Sequence, residues 1–264
     1  MTTPALGKTA SSQLLLNRYQ NNQHAVAARV AAAIRQLWAR LFDPANPQSW
    51  EQLEPLLTGI VTQHYNATAA DAAQYYSASR VVAGNTFLRV PGVKPDEQYI
   101  NKVLNIMGPG MFAHYAKDNP PDNSATMAGD GLAGAATRLV LAGGRDTVTG
   151  TAPHDPMAKG WERVIEPGAC GFCAMLAGRG AVYKESTVNF RAHDHCNCVA
   201  RAVFIGQQSI NTGLSEEWGK ATAGTRGKAA IAAWNKYWES SRGVSTSGPA
   251  SPKESSEDRA GHAA

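Results

Sequence analysis

The stretch SSQLLLNRYQNNQHAVAARVAAAIRQLWARL, Ser11 to Leu41, decides the architecture. Leu16, Tyr19, Val26, Val30, Ala33, Leu37 and Leu41 return at steps of three and four residues or their sum, the spacing of one face of an α-helix. Alanine fills much of the remainder, and Gln23 is the one polar interruption of the stripe. Ser11-Ser12 supply an amino-terminal cap. The cluster Asp43-Pro44-Ala45-Asn46-Pro47 breaks the pattern at the other end. One helix of about 30 residues is expected, about 45 Å long at 1.5 Å per residue. That length fits packing along a partner helix, an extended shape, or the centre of a bundle.

The same segment is the most uneven in charge. Residues 1–42 carry Lys8, Arg18, Arg29, Arg35 and Arg40 and no acid; Asp43 is the first. Such a helix can meet an acidic protein surface or a phosphate backbone, or remain a solvated face. The whole chain carries only +4 over 264 residues, too little for general adhesion to nucleic acid. No positively charged start followed by an apolar run marks a signal peptide. No window nears the about 18 consecutive apolar residues of a membrane span, so no membrane association is expected. Without a secretory start, the cysteines should be made as reduced thiols.

Further helices are expected along the first half. Ser49 caps one through Trp50, Leu53, Leu57, Val61 and Tyr65; Thr68 opens another, ending near Val82. Asp96 caps a short helix with Tyr99, Ile100, Val103 and Leu104, broken at Gly108-Pro109-Gly110. Met127 to Ala142 reads as helix, stopped by Gly143-Gly144. From Thr147 the character changes. Thr147–Thr149 and Gly160–Ile165 read as extended pieces, as do Ala181–Tyr183 and Val199–Phe204. A turn of helix at Ala174–Ala177 is halted by Gly178. Residues 214–238 return to helix, with Trp218, Ile231, Trp234 and Trp238 as buried anchors. The Ser/Pro/Gly-rich residues 243–264 read as a disordered tail. The expected fold class is therefore mainly α with a small α+β Cys/His module. Its expected divisions are a helical region 1–145, the module 146–210, a closing helix 211–242 and the tail 243–264.

That module holds every cysteine of the chain within 29 positions, as Cys170-Gly-Phe-Cys173 and Cys196-Asn-Cys198, with His193 and His195 just before the second pair. Thiolate and imidazole are the ligands Zn²⁺ prefers, and a Cys-x-x-Cys turn aims two sulfurs at one tetrahedral centre. Cys170 and Cys173 are expected to bind with two of His193, His195, Cys196 and Cys198; the cysteines come first and His195 next. The Cys-x-Cys spacing is not that of a standard zinc finger, and buried thiols or two disulfides remain open. A catalytic use is the alternative. Cys173 with His193, or Ser186 with His195, can be written as a nucleophile and its base, and Glu166 or Glu185 as the base beside a catalytic zinc. No His-Glu-x-x-His run and no phosphate-binding Gly-x-x-x-x-Gly-Lys-Ser/Thr run is present. His154-Asp155 reads as a loop pair. His24, His64 and His114 read as surface or satisfied groups on helices.

The stretch from Trp161 through Arg163, Gly168, Cys170, Cys173, Gly178 and Gly180 to Tyr183, closing with Phe190, His193, His195, Cys196 and Cys198, resembles the minor head proteins of tailed bacteriophages. These form the MuF-like, or head-morphogenesis, group, especially its versions from phages of actinobacteria. The resemblance covers about 45 residues, Gly160 to Phe204. It implies a structural part of the virion, held inside the capsid at the portal vertex and assisting head assembly or DNA delivery. The implied partners are the portal protein, the major capsid or scaffold protein, and the packaged DNA. The implied location is the capsid interior, by way of the host cytoplasm during assembly. Relatives are also described as capsid maturation proteases, which implies as the alternative an enzyme whose catalytic residues, Cys173 and His193, lie in the Cys/His module.

Overall fold

The computed structural model describes residues 4–166, 168–181, 190 and 192–242. Three long helices form its frame: α1 (Pro4–Leu41), α2 (Gln48–Val82) and α5 (Pro121–Thr151). Two short helices, α3 (Glu97–Asn105) and α4 (Met111–Tyr115), lie between α2 and α5 in the chain. A two-stranded antiparallel sheet follows, β1 (Ala158–Val164) with β2 (Val199–Phe204), and helix α6 (Gly171–Ala177) sits in the connection between them. Helices α7 (Thr212–Ala221) and α8 (Gly227–Arg242) close the described chain. The fold is mainly helical with a small sheet and a Cys/His cluster.

Helix α1 runs antiparallel to both α2 and α5. Its Trp38 lies edge-on to Trp50 at the start of α2 and donates to Ala125 O at the start of α5, while Tyr19 stacks on Tyr75 near the far end of α2. The apolar periodicity thus feeds two cores. Val30, Ile34 and Trp38 meet Leu53, Leu57, Val61, Leu104, Leu132 and Leu139 at one end. At the other, Leu16 and Tyr19 meet Tyr76, Val148 and the inner faces of the strands through Trp161, Val164, Val199 and Phe204. The second core draws on both sides of residue 145, and α5 runs across that position without a break.

Several expectations change for physical reasons. The first helix begins at Pro4 rather than at Ser11-Ser12; proline has no N–H to leave unsatisfied in a first turn. The segments either side of Thr68 form one helix, because the Thr68 hydroxyl does not cap but reaches Tyr65 O and, at 2.6 Å, Val140 O of α5. Gly108-Pro109-Gly110 does not end the helical path: residues 106–110 widen into one turn of π-helix and lead into α4, with Gly108 beneath Trp50. Gly143-Gly144 does not stop α5, and Thr147–Thr149 are helical; Thr147 Oγ1 bonds back to Gly143 O at 2.8 Å. Residues 214–238 are two helices, parted near Gly224 and Gly227, whose φ angles of 74° and 57° suit glycine. Trp234 and Trp238 are buried as expected and Trp218 half-buried, but Ile231 is 43% exposed. Asp155 is no loose loop residue: its buried carboxylate pairs with Arg80 at 2.9 Å and accepts from Tyr76 OH. Val182, Tyr183 and residues 243–264 lie outside the described residues.

Candidate metal centre

The cluster is assembled from three short pieces. Cys170 precedes α6 with an extended backbone, and its sulfur accepts the Cys173 N–H at 3.4 Å, as a capping side chain does. The cap sets both sulfurs on one side of the first turn of α6. From the other side comes the 192–198 loop, where His193 Nε2 lies 3.0 Å from Cys170 Sγ and 3.7 Å from Cys173 Sγ. Cys196 Sγ lies 3.6 Å from Cys173 Sγ. The donor atoms form two sets, Cys170–Cys173–His193 and Cys173–Cys196–Cys198, each with every donor within 4.8 Å of the others. Cys173 belongs to both. All four cysteines are free thiols.

His195, the imidazole first expected among the ligands, belongs to neither set. Among the described residues it is the one non-glycine with positive φ, 62°, inside a turn closed by Cys196 N–H to His193 O at 3.1 Å. Its ring goes to α5 and fills the notch left by Gly134, where a Cβ would stand 2.3 Å from Nε2. His193 takes the cluster instead. Its Nδ1 lies 2.7 Å from Asp194 O, an acceptor, so Nδ1 carries the hydrogen and Nε2 faces the sulfurs. Cys173 and His193, the alternative catalytic pair, do meet, but Cys173 is 1% exposed and the Asp194 carboxylate is held by Arg138 at 2.8 Å. Glu166 lies 3.5 Å from His24. Ser186 and Glu185 lie outside the described residues.

Two arginines close the back of the cluster, and neither stands out as a site residue from the sequence. Arg163 on β1 directs its guanidinium to Cys173 Sγ at 3.7 Å and Cys196 Sγ at 3.9 Å. Arg145 on α5 donates to Cys198 O at 2.9 Å and to Cys196 O. The Phe190 ring packs against both, with the Arg163 guanidinium carbon 3.8 Å from its centroid. Arg145 and Arg163 are nearly fully buried. Cations at such depth need negative charge close by, and thiolate sulfur is what Arg163 faces. The signal for Arg145 was in the sequence: Gly134, Arg138, Leu141 and Arg145 share one face of a helix that carries past Gly143-Gly144.

Protons are divided unevenly across the four thiols. The Cys170 thiol is held down to about 4, chiefly by its hydrogen bond with Cys173, with His193 assisting against the opposing effect of burial. His193 is raised to about 9, first by the Cys170 sulfur beside it. Cys196 is pushed well down by hydrogen bonds from Cys173 and Cys198 and by the charges of Arg145 and Arg163. Cys173 is pushed far up by its hydrogen bond with Cys170. At Cys198 the hydrogen bond with Cys173 pulls down, but Cys196 and burial outweigh it, to about 12. Sulfurs this close cannot all ionise together unless a cation stands among them. The donor types are those that bind metal, and either set of three could hold an ion.

A family model described as VG15 protein matches residues 10–221, from α1 through α7. The chain belongs to the VG15 protein family. This is a viral family, which places the chain among phage-encoded proteins. The matched VG15 range takes in the helical frame, the sheet and the whole Cys/His cluster. No curated protein and no solved structure matches the chain significantly. Among the described residues, no helix is long and apolar enough to cross a membrane.

Proposed function

We propose that this VG15 protein is a minor head protein of a tailed phage, of the MuF-like head-morphogenesis kind. It acts inside the capsid at the portal and assists head assembly or DNA delivery. Its Cys/His cluster is a structural Zn²⁺ site. The observation that carries this is the way the cluster is built into the frame: Cys173, Cys196 and Cys198 are buried, Cys170 and His193 half-buried, two arginines back-fill it, and its loop is fastened to α5. A site made for substrates would need an open donor and a cleft; this one spends its donors on holding the module in place. The donor set fits zinc. The Cys173–Cys196 and Cys173–His193 separations of 3.6 and 3.7 Å match the edges of a tetrahedron with bonds of about 2.3 Å to sulfur and about 2.0 Å to nitrogen, and the Cys170–His193 pair, at 3.0 Å, would open by about half an ångström around an ion. A backbone carbonyl on Nδ1 is the usual outer partner of a ligating histidine. Cys170, Cys173 and His193 would hold the ion with one of Cys196 and Cys198, and Arg163 would offset the thiolate charge.

The helical region 1–145 is the part assigned to the portal, capsid and scaffold, with the module 146–210 docked against it. Arg35 is engaged with Asp130 at 2.7 Å, so the arginines left for a partner on α1 are Arg18, Arg29 and Arg40. Two measurements test the proposal. Mass spectrometry of purified tailless heads should find the chain in few copies, and portal protein should retain it on a column; its absence from both would sink the virion role. Elemental analysis should find one zinc per chain, lost in Cys170→Ser, Cys173→Ser and His193→Ala but kept in His195→Ala. The reverse histidine result would overturn the ligand assignment.

A capsid maturation protease is the second reading, favoured by the contact between Cys173 and His193. Co-expression with capsid and scaffold proteins decides it. Defined cleavage that disappears in Cys173→Ala, with the zinc-bound fold intact, would establish the enzyme.

A further inference from the structure

Three arginines of α1 stand in register on its outer face. Arg18, Arg29 and Arg40 are exposed and follow one another at intervals of 11 residues. Eleven residues make close to three turns, so the side chains line up with about 16.5 Å between neighbours and about 33 Å from first to last. None of the three is in an ion pair among the described residues, whereas Arg35, in the same helix, is paired with Asp130. Between them the exposed positions are Asn21, Asn22, Ala25, Ala28, Ala32, Gln36 and Ala39, all uncharged, and Arg35, whose charge is matched by Asp130. Asp71, which flanks Arg29 across the shallow groove between α1 and α2, already accepts from Asn22 at 2.8 Å and from Gln23 at 2.9 Å.

We infer that this ridge binds the phosphate backbone of duplex DNA, without reading sequence. The duplex repeats every 34–36 Å or so, and carries about one phosphate charge per 1.7 Å of axis over its two strands. A straight ridge laid along the axis therefore crosses one strand, then the other, then the first again within about one turn. Arg18 and Arg40 stand about that far apart, and Arg29, between them, is offset from the opposite strand by no more than a long arginine side chain can span, since the two grooves are unequal. An acidic protein groove satisfies the same charges, but nothing in such a groove requires a repeat of this length. Alanines between the arginines keep the ridge low, so the duplex can approach closely, and nothing bulky projects to enter a base-bearing groove. The inference rests on the proposed virion role only for where DNA would be met, namely the packaged genome. Binding is measured on the isolated zinc-loaded chain, so failure here leaves the head assignment standing.

The test is the salt dependence of binding to a mixed-sequence duplex of about 30 base pairs, followed by fluorescence anisotropy on the full chain. Three phosphate contacts predict a slope of log K against log salt of about −2.7. R18Q/R29Q/R40Q should lose about tenfold or more in affinity at low salt and flatten that slope; each single substitution should reduce it by about 0.9. R35Q, whose arginine is already paired, should leave slope and affinity within about twofold of the parent, since it removes no phosphate contact. Circular dichroism confirms that helix content is unchanged in each variant. No duplex binding, an unchanged slope in the triple variant, or an equal loss in R35Q would overturn the inference. So would retention of the chain by poly-glutamate but not by the duplex, which would make the ridge a docking face for an acidic protein.

Discussion

Single residues of α5 show how the frame is fitted together. At Gly129 an added Cβ would stand 2.6 Å from the Trp38 ring; at Gly134, 2.3 Å from His195; at Gly143, 2.3 Å from Tyr65 O; at Gly144, 2.5 Å from Gln23 Oε1. Each glycine is a socket for a side chain or backbone from another element. Gly59, exposed in the middle of α2, has nothing within 4 Å of the same position. Replacing glycine by alanine in a helix gains about 1 kcal/mol, while overpacking a filled site costs about 1–3 kcal/mol. Gly59→Ala should therefore stabilise the chain by about 1 kcal/mol. Gly143→Ala should destabilise it by up to about 2 kcal/mol net, because the Tyr65 carbonyl belongs to a helix backbone and cannot swing aside. Urea unfolding of the two variants checks the opposite signs. The pair also marks a limit of what the sequence holds. Gly143-Gly144 reads as a stop because stops and sockets are both spelled glycine, and the groups opposite lie far away in the chain. Gln23 reads as a flaw in an apolar stripe, yet it is buried and bonds Thr68 O and Asp71 across the helix pair. His193 and His195 were both legible as donors. The choice between them rests on the backbone turn at His195 and on a notch in α5, neither of which local spacing reveals.

At the scale of elements, two buried ion pairs fasten the sheet and the helices around it. Glu162 of β1 faces Arg201 of β2 across the ladder and accepts from Arg201, Ser209 and Asn211. Removing one partner of such a pair leaves a bare charge in the interior, at a cost of about 3–5 kcal/mol. Glu162→Gln is thus expected to lower stability by about that amount, against a small effect for Glu51→Gln on the exposed side of α2; thermal melts compare them. The second pair, Arg80–Asp155, joins α2 to the turn before β1. Burial by itself would raise the Asp155 carboxyl, but the Arg80 hydrogen bond and charge, with the Met157 N–H and Tyr76 hydroxyl, hold it below its ordinary value. A depressed folded-state value means stability that is complete above the unfolded value of about 4 and lost as pH falls through the folded one. Asp155→Asn should therefore destabilise the chain at neutral pH and flatten the decline of melting temperature below about pH 4. An unchanged acid limb would remove Asp155 from its cause. Elements read well from sequence where their signals were local. Asp96 caps α3 through Tyr99 N–H at 3.0 Å, and both strands lie where β-branched and aromatic residues cluster. They read poorly where a side chain served a distant element, as Thr68 does for α5.

Over the whole molecule, the Cys/His module has little core of its own. Ala169, Cys173, Cys196 and Cys198 form its buried cluster; α6 packs on Trp234 and Trp238 of α8, whose indoles donate to Gly171 O and Ala169 O, and the remaining anchorage is to the frame. Arg138 reaches Asp194 from α5, Arg145 holds the carbonyls of Cys196 and Cys198, and the His24 ring of α1 meets Asn197 O at 2.9 Å. The long helices keep separate apolar clusters that do not involve the thiols. A structural zinc contributes about 10–16 kcal/mol of apparent binding free energy in small zinc-dependent folds, several times what any one of these contacts supplies at about 1–3 kcal/mol. Chelation should therefore act regionally. After treatment with a strong chelator, amide hydrogen exchange should accelerate by orders of magnitude across residues 165–181 and 192–198, while α1, α2 and α5 around Ile34, Leu57 and Leu139 stay protected. Re-adding zinc should restore the slow exchange. Arg145→Met tests the coupling between the two regions: the frame still folds, zinc still binds, and the 192–198 loop alone exchanges faster because its carbonyls have lost their donor. Uniform exchange before and after chelation would mean that packing against α5, not metal, secures the module, and zinc would then have no structural part in this protein.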